Sequence, residues 1–311
     1  MNKLAHTYSI IAIDPGTGEM GGAVQSHYFS VGTAVLWAES GVGVVATQAS
    51  VNFSYGPRGL EMMRSGLTPS ETVSKLTGED ESRDMRQLAV LSADGKVETW
   101  TGRKCIKDAG HAVGEGCSAQ ANMMINDKVW PEMVKAFEAA EGPLAERLLA
   151  ALDAAEAAGG DIRGRQSAAL LVVKIETTGK LWEDRAVDIR VDDSPEPLAE
   201  MRRLLTIKRA YDHADKGDLE MERGDTAKAL FHYSAAESMV PDNVEMMFWH
   251  AVTLANNGHH DDARHLFSLV FDKDDNWREL ARRLVPSGLL KVTDDQLERI
   301  VKVKPRQCSM K

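Results

Sequence analysis

The sequence predicts an α/β domain of stacked antiparallel sheets with helices segregated against them, followed by a smaller all-helical domain. Three observations carry this. Up to Val191, short apolar or β-branched runs bounded by turn residues come in blocks, separated by blocks of helical pattern. Runs of like elements, rather than strict strand–helix alternation, favour stacked antiparallel sheets and exclude a simple dinucleotide-binding unit. A polar stretch with two prolines, 191–197, then opens a remainder that is helical and repeats itself.

Taken in order, Tyr8–Ile13 reads as a strand, Asp14-Pro15-Gly16-Thr17-Gly18-Glu19 as turn chemistry, and Gly21–Ser26 as the second strand of a hairpin. Val31–Trp37 and Val42–Thr47 are nearly continuous apolar runs, the pattern of strands covered on both faces. Pro57–Arg64 and Pro69–Leu76 read as helices, the second introduced by Thr68 as N-cap. Arg86–Leu91 and Val97–Thr101 flank Asp94-Gly95 and form a second hairpin. Amphipathic helices follow over 126–141 and 143–158, the latter closed by Gly159-Gly160, and Ser167–Ile175 returns to strand. The layered domain is therefore expected over 1–192 and the helical one over 197–311.

The chain has 311 residues, with 47 Asp and Glu against 37 Lys and Arg, a formal charge of −10. Nucleic-acid phosphates and anionic membrane surfaces would both meet net repulsion, so neither is expected as a partner. No stretch suits a signal peptide, and no run approaches the roughly 20 apolar residues of a membrane span, so a cytoplasmic location is expected. Cys105, Cys117 and Cys308 are scattered without a CxxC pair and read as free thiols. HExxH, P-loop and GxSxG motifs are missing, and no metal or cofactor is expected.

Gly224, Ala229 and Tyr233 recur as Gly258, Ala263 and Phe267, a period of 34 residues. That is the tetratricopeptide period, and 224–241 resembles the second helix of such a repeat with its closing proline. The glycines permit the interhelix turn, the alanines let backbones approach, and the aromatic rings fill the layer between helices. Two copies fall short of a self-sufficient solenoid, so the repeats must lean on other helices.

Arg58, in Ser54-Tyr55-Gly56-Pro57-Arg58-Gly59, stands at a helix start, where a guanidinium beside free backbone N–H groups suits a carboxylate or phosphate. Gly114-Glu115-Gly116 is a weaker candidate of the same kind. The segment 159–167 packs one carboxylate, two guanidiniums, an amide and a hydroxyl between a helix end and a buried strand. His259-His260-Asp261-Asp262 falls by register at an interhelix turn and reads as a solvated polar turn, not a metal site. His111 reads as structural, while His27 follows a strand and could approach a nucleophile at Thr7.

The segments 7–15, 46–49, 55–60, Gly110-His111 with 114–116, and 159–161 resemble the family called domain of unknown function 1028, over about residues 7 to 192. The resemblance implies an N-terminal-nucleophile (Ntn) hydrolase fold, a four-layer αββα sandwich similar in strand order to proteasome β subunits. Such enzymes use an N-terminal Thr, Ser or Cys whose free α-amine is the general base. On this resemblance Thr7 takes the nucleophile position, Gly114 and Gly116 the glycine turn near it, and Asp161 the aspartate supporting the amine. His27 stands where many relatives carry Lys, and Gln48 and Arg58 would contact substrate. The lysine expected before the third strand is not found near Thr33, and six residues precede Thr7, so its nitrogen is an amide until they are removed.

The implied activity is hydrolysis of an amide or related C–N bond in a small-molecule or peptide substrate. The alternative is a non-catalytic binding or assembly protein that presents its repeats to a protein partner through 197–311. Covered sheets and an underfilled repeat stack lead to the expectation of a homo-oligomer.

Overall fold

A computed structural model describes the backbone of residues 4 and 5 and all of residues 7–303; Cys308 and most of the segment before Thr7 lie outside the described residues. By its internal contacts the chain divides into Met1–Leu204 and Leu205–Lys311.

The first unit is α/β, with two antiparallel sheets. Its elements are β1 (Leu4–Ala5), β2 (Thr7–Asp14), β3 (Glu19–Ser26), β4 (Leu36–Glu39), β5 (Gly43–Ser50), α1 (Tyr55–Arg64), α2 (Pro69–Gly78), β6 (Arg86–Ser92) and β7 (Val97–Thr101). There follow β8 (Gly110–Gly114), β9 (Cys117–Ala121), α3 (Val129–Ala139), α4 (Leu144–Ala157), β10 (Ser167–Lys174) and β11 (Arg185–Val191). One sheet runs β1-β5-β6-β7, with β4 beside β1 on the same edge of β5; the other runs β11-β10-β3-β2-β9-β8. Helices α1 and α2 pack on the first sheet, α3 and α4 on the second, and β2 and β3 meet β5 between them. Ile11, Ile13, Met20 and Val24 interlock there with Val44, Ala46, Ala89 and Leu91 in a buried apolar core.

Local chemistry explains the elements that the sequence marks. Thr68 and Glu71 form a reciprocal capping box, Thr68 Oγ1 accepting from Glu71 N–H at 3.3 Å and Glu71 Oε2 from Thr68 N–H at 2.8 Å. α4 stops where the Gly160 N–H returns to Ala155 O at 3.0 Å. The run Val31–Trp37 is not one strand: Val31–Thr33 is a 3₁₀ turn and only Leu36–Glu39 is extended. Ser30 adopts a left-handed φ of 58°, and Gly32 lies so close to β10 that a Cβ there would stand 2.5 Å from the Ala169 Cβ. α3 starts at Val129 rather than Asn126, because the Asn126 carboxamide accepts from the Lys128 N–H at 2.8 Å and makes a turn first.

The second unit consists of the rest of α5 (Pro197–Glu222), which runs through the division, then α6 (Thr226–Met239), α7 (Val244–Asn256), α8 (His260–Lys273), α9 (Asn276–Leu284) and α10 (Asp294–Val301). Its turns repeat bond for bond at the 34-residue spacing. Asp225 N–H donates to Glu220 O as His259 N–H does to Leu254 O, both at 2.9 Å. Gly224 and Gly258 both take left-handed φ, 81° and 83°. Tyr233 and Phe267 are both buried. Among the described residues no helix is long and apolar enough to cross a membrane.

Candidate active site

Successive residues of β2 point to opposite faces. Tyr8 turns toward α4, where its hydroxyl donates to Glu156 Oε1 at 2.5 Å; Thr7 and Ser9 turn toward the facing sheet. At the Thr7 end this inter-sheet layer changes from apolar to polar. Thr7, Ser9, Gln48, Gln87 and Asn122 are fully buried and Gln120 is 1% exposed. Such groups are costly to bury unless bonded to one another. Thr7 Oγ1 donates to Ser26 Oγ at 3.0 Å, and Ser9 Oγ to Gln48 Oε1 at 2.7 Å. The Gln48 amide donates to Thr7 O (3.1 Å), Gln87 Oε1 (2.9 Å) and Gln120 O (3.2 Å). Asn122 adds its backbone N–H to Thr7 O at 3.1 Å and its side-chain amide to Gln87 Oε1 at 2.9 Å. Thr7 is thus held at its carbonyl and its hydroxyl at the head of a central strand.

Beside it lies the loop between α4 and β10. Asp161 bridges to Met124, and its carboxylate is fully buried. The carboxylate accepts from the Arg163 N–H (2.9 Å) and guanidinium (2.6 and 3.0 Å) and from the His27 N–H (3.4 Å). Four donors on one buried carboxylate fix the loop. His27 is exposed, with Nδ1 3.2 Å from Arg165 O. Arg165 also donates to Glu156 Oε2 at 2.6 Å, the carboxylate that holds Tyr8 and, at 2.6 Å, Gln25. Burial first, then the Glu156 charge, pushes the Tyr8 phenol well above its ordinary range. Non-glycine residues with left-handed φ flank the site: Ala49 (69°) beside Gln48 and Met123 (60°) beside Asn122.

The structure brings together four of the expected residues, since Thr7 pairs with Ser26, which precedes His27 on Asp161, and Gln48 bonds Thr7 directly. Gln48 is fully buried, with its carboxamide oxygen and nitrogen both bonded to protein groups. Gly114 and Gly116 are elsewhere. They bound the tight turn of the β8–β9 hairpin, Gly116 at φ 63°, and Gly116 O accepts from the Ile13 N–H at 2.9 Å. Six residues of β2 separate that point from Thr7, about 20 Å at the strand rise. Arg58 lies on α1, on the outer side of the other sheet, in an exposed ion pair with Glu79. Gln87 and Gln120, on strands, and Asn122, just after β9, complete the layer, and the sequence offers no sign of them, because an isolated amide carries no local mark of being buried.

A cavity of about 540 Å³ lies at the opposite end of the sheets, between the 14–19 turn, Ala93–Gly95 and Lys174–Glu176. Among the described residues no group of three or more His, Cys, Asp or Glu side chains is arranged to hold a metal ion.

Residues 7–201 match a family of unknown function, DUF1028. The crystal structure of protein SPO2555 from Silicibacter pomeroyi, described as a DUF1028 protein, is similar with a TM-score of 0.59 at 33% identity, over 65% of this chain and 85% of that one. No curated protein matches the chain.

Proposed function

The chain belongs to the DUF1028 family, and from that premise we propose that its layered unit is an αββα sandwich of the Ntn-hydrolase type that hydrolyses an amide or related C–N bond. The observation that carries the reading is the buried polar layer at the head of β2, where Thr7 is held by Ser26, Gln48 and Asn122 between the two sheets. Removal of the six preceding residues would turn the Thr7 nitrogen into a free amine. That amine then takes the Oγ1 proton as the oxygen adds to the substrate carbonyl carbon, and the proton passes to the departing amine. Water hydrolyses the resulting ester, releasing the acid and restoring Thr7. Asp161, from the adjacent loop, and the exposed His27, just after β3, support the amine. The pairing of β1 with Ala49 and Ser50 holds the preceding segment against β5, which suits a covering that must leave before substrate enters.

The test is a chain beginning at Thr7, released from a removable N-terminal fusion and treated with a β-lactone electrophile. One acyl adduct on Thr7, missing in Thr7→Ala, together with hydrolysis of acyl-coumarin amides, is the expected result. No adduct on a free Thr7, or hydrolysis that survives Thr7→Ala, sinks the assignment.

The bond-for-bond recurrence of the 220–225 and 254–259 turns supports a second assignment: the helical unit is of the tetratricopeptide type and engages a protein partner. An experimental structure whose α5–α6 and α7–α8 pairs fail to superpose on a 34-residue shift would remove it.

A further inference from the structure

In the helical unit a cavity of about 210 Å³ opens among α6, α7 and α8, lined by Leu230, His250, Leu254, Asp262, His265 and Leu266. Three leucines make its apolar wall. His250 is 7% exposed, and its ring is fixed twice: Nδ1 lies 2.5 Å from Glu237 Oε1, and the face stacks on Tyr233 with centroids 4.4 Å apart. With Nδ1 engaged by Glu237, Nε2 is the remaining ring nitrogen, and that atom is buried with no partner among the described residues. Asp262, exposed on α8, offers acceptors only and makes no ion pair among the described residues, whereas Asp261 pairs with Arg264. Of the three polar lining residues, Asp262 can only accept, Nε2 of His250 accepts in the Nδ1–H tautomer that Glu237 holds, and His265 is exposed on α8. The surrounding sequence agrees, since 212–262 carries 11 Asp and Glu against 3 Lys and Arg.

Size decides between a small molecule and a side chain. Sites for drug-sized ligands run to about 300–1,000 Å³, so this cavity suits a single side chain. We propose that it takes one Lys or Arg side chain of a partner polypeptide. The alkyl stem lies along Leu230, Leu254 and Leu266, the charge pairs with Asp262, and an N–H satisfies His250 Nε2. This deepens the partner-binding reading of the helical unit, but stands on the cavity and would outlive failure of the tetratricopeptide or hydrolase assignments.

The experiment uses the full chain, ¹⁵N-labelled at histidine, with the His250 Nε2 resonance followed at pH 7.5. The probes are acetylated, amidated pentapeptides Ala-Ala-X-Ala-Ala in which X is Arg, Lys, norleucine or Glu. A saturable shift with Arg or Lys is expected, at least fivefold weaker with norleucine and undetectable with Glu. Asp262→Asn, an exposed change, should weaken the basic peptides at least threefold with the helical circular dichroism unchanged. No saturable shift, equal binding of norleucine, or indifference to Asp262→Asn overturns the proposal. Butylammonium binding as tightly as the Lys peptide overturns it too, in favour of a small-amine site.

Discussion

Thr7 and Ser26 are direct partners in the β2–β3 register, and the hydroxyl of the first donates to that of the second at 3.0 Å. The bond orients Oγ1 within a layer closed to water. Ser26→Ala, made in the chain that begins at Thr7, should slow acylation by the β-lactone roughly tenfold, the kinetic equivalent of one hydrogen bond of about 1.4 kcal/mol. An unchanged rate would show that Ser26 does not orient the nucleophile.

Gln48 is the hub of the same layer. Replacing it by Leu keeps the volume but strips partners from Ser9 Oγ, Thr7 O, Gln87 Oε1 and Gln120 O in one step. Each buried group left unpaired costs about 1–3 kcal/mol, and Thr7 O and Gln87 Oε1 retain Asn122, so a loss of about 3 kcal/mol is expected in urea unfolding. A change under 1 kcal/mol would mean that water or rearrangement replaces the amide.

These two residues also mark how far the sequence is legible. The β2–β3 hairpin, the Thr68 cap, the Gly159-Gly160 stop and the 34-residue spacing were readable, because each is dictated by neighbours within a turn or by a period. The polar layer was not. Gln48 meets Ser9, Gln87 and Gln120 at separations of 39, 39 and 72 residues, and only the stacking of two sheets turns these amides into one buried cluster. The hairpin of β8 and β9 leaves little local signal: Cys117-Ser118-Ala119-Gln120-Ala121 contains no β-branched residue, and the glycine turn Gly114-Glu115-Gly116 that joins the strands is a weak mark on its own. Thr7 and Asp161 could be named ahead of the structure through family resemblance, not through any spacing.

Acid stability should depend on Asp80. Burial would raise its pKa, but hydrogen bonds from Arg86, Tyr55, Ser82 and Asn52 outweigh burial and hold it at about 2. A carboxylate held below its ordinary range stabilises the fold above pH 4, and that contribution is lost as pH falls toward 2. Asp80→Asn should cost about 2 kcal/mol at pH 7, and its melting temperature should converge on that of the unaltered chain between pH 4 and 2. A gap that stays constant over that interval would exclude the ion pair with Arg86 as its source.

Cys105 and Cys117 should be poor nucleophiles, since burial pushes both thiols up to about 11. In a Cys308→Ser chain at pH 8, a disulfide reagent should release almost no chromophore until denaturant is added, and then two equivalents. Cys117 is buried and Cys105 half-buried, so rapid reaction of either thiol in the native chain would contradict the raised thiol pKa.

Gly217 sets two opposing effects against each other inside α5. A helical Gly→Ala change ordinarily stabilises by about 1 kcal/mol. Here a Cβ would stand 2.6 Å from Cε1 of Tyr233, a ring held by its hydroxyl on Asp218 at 2.6 Å and stacked on His250, so it cannot swing aside. Overpacking against such a ring costs about 1–3 kcal/mol, which exceeds the propensity gain. Gly217→Ala should therefore speed amide hydrogen exchange in α6 and α7, whereas slower exchange is the result that helix propensity alone would give. Gly224→Ala, where no atom crowds the added carbon but φ is 81°, separates backbone strain from crowding: it should loosen the α5–α6 turn and leave the Tyr233–His250 stack intact.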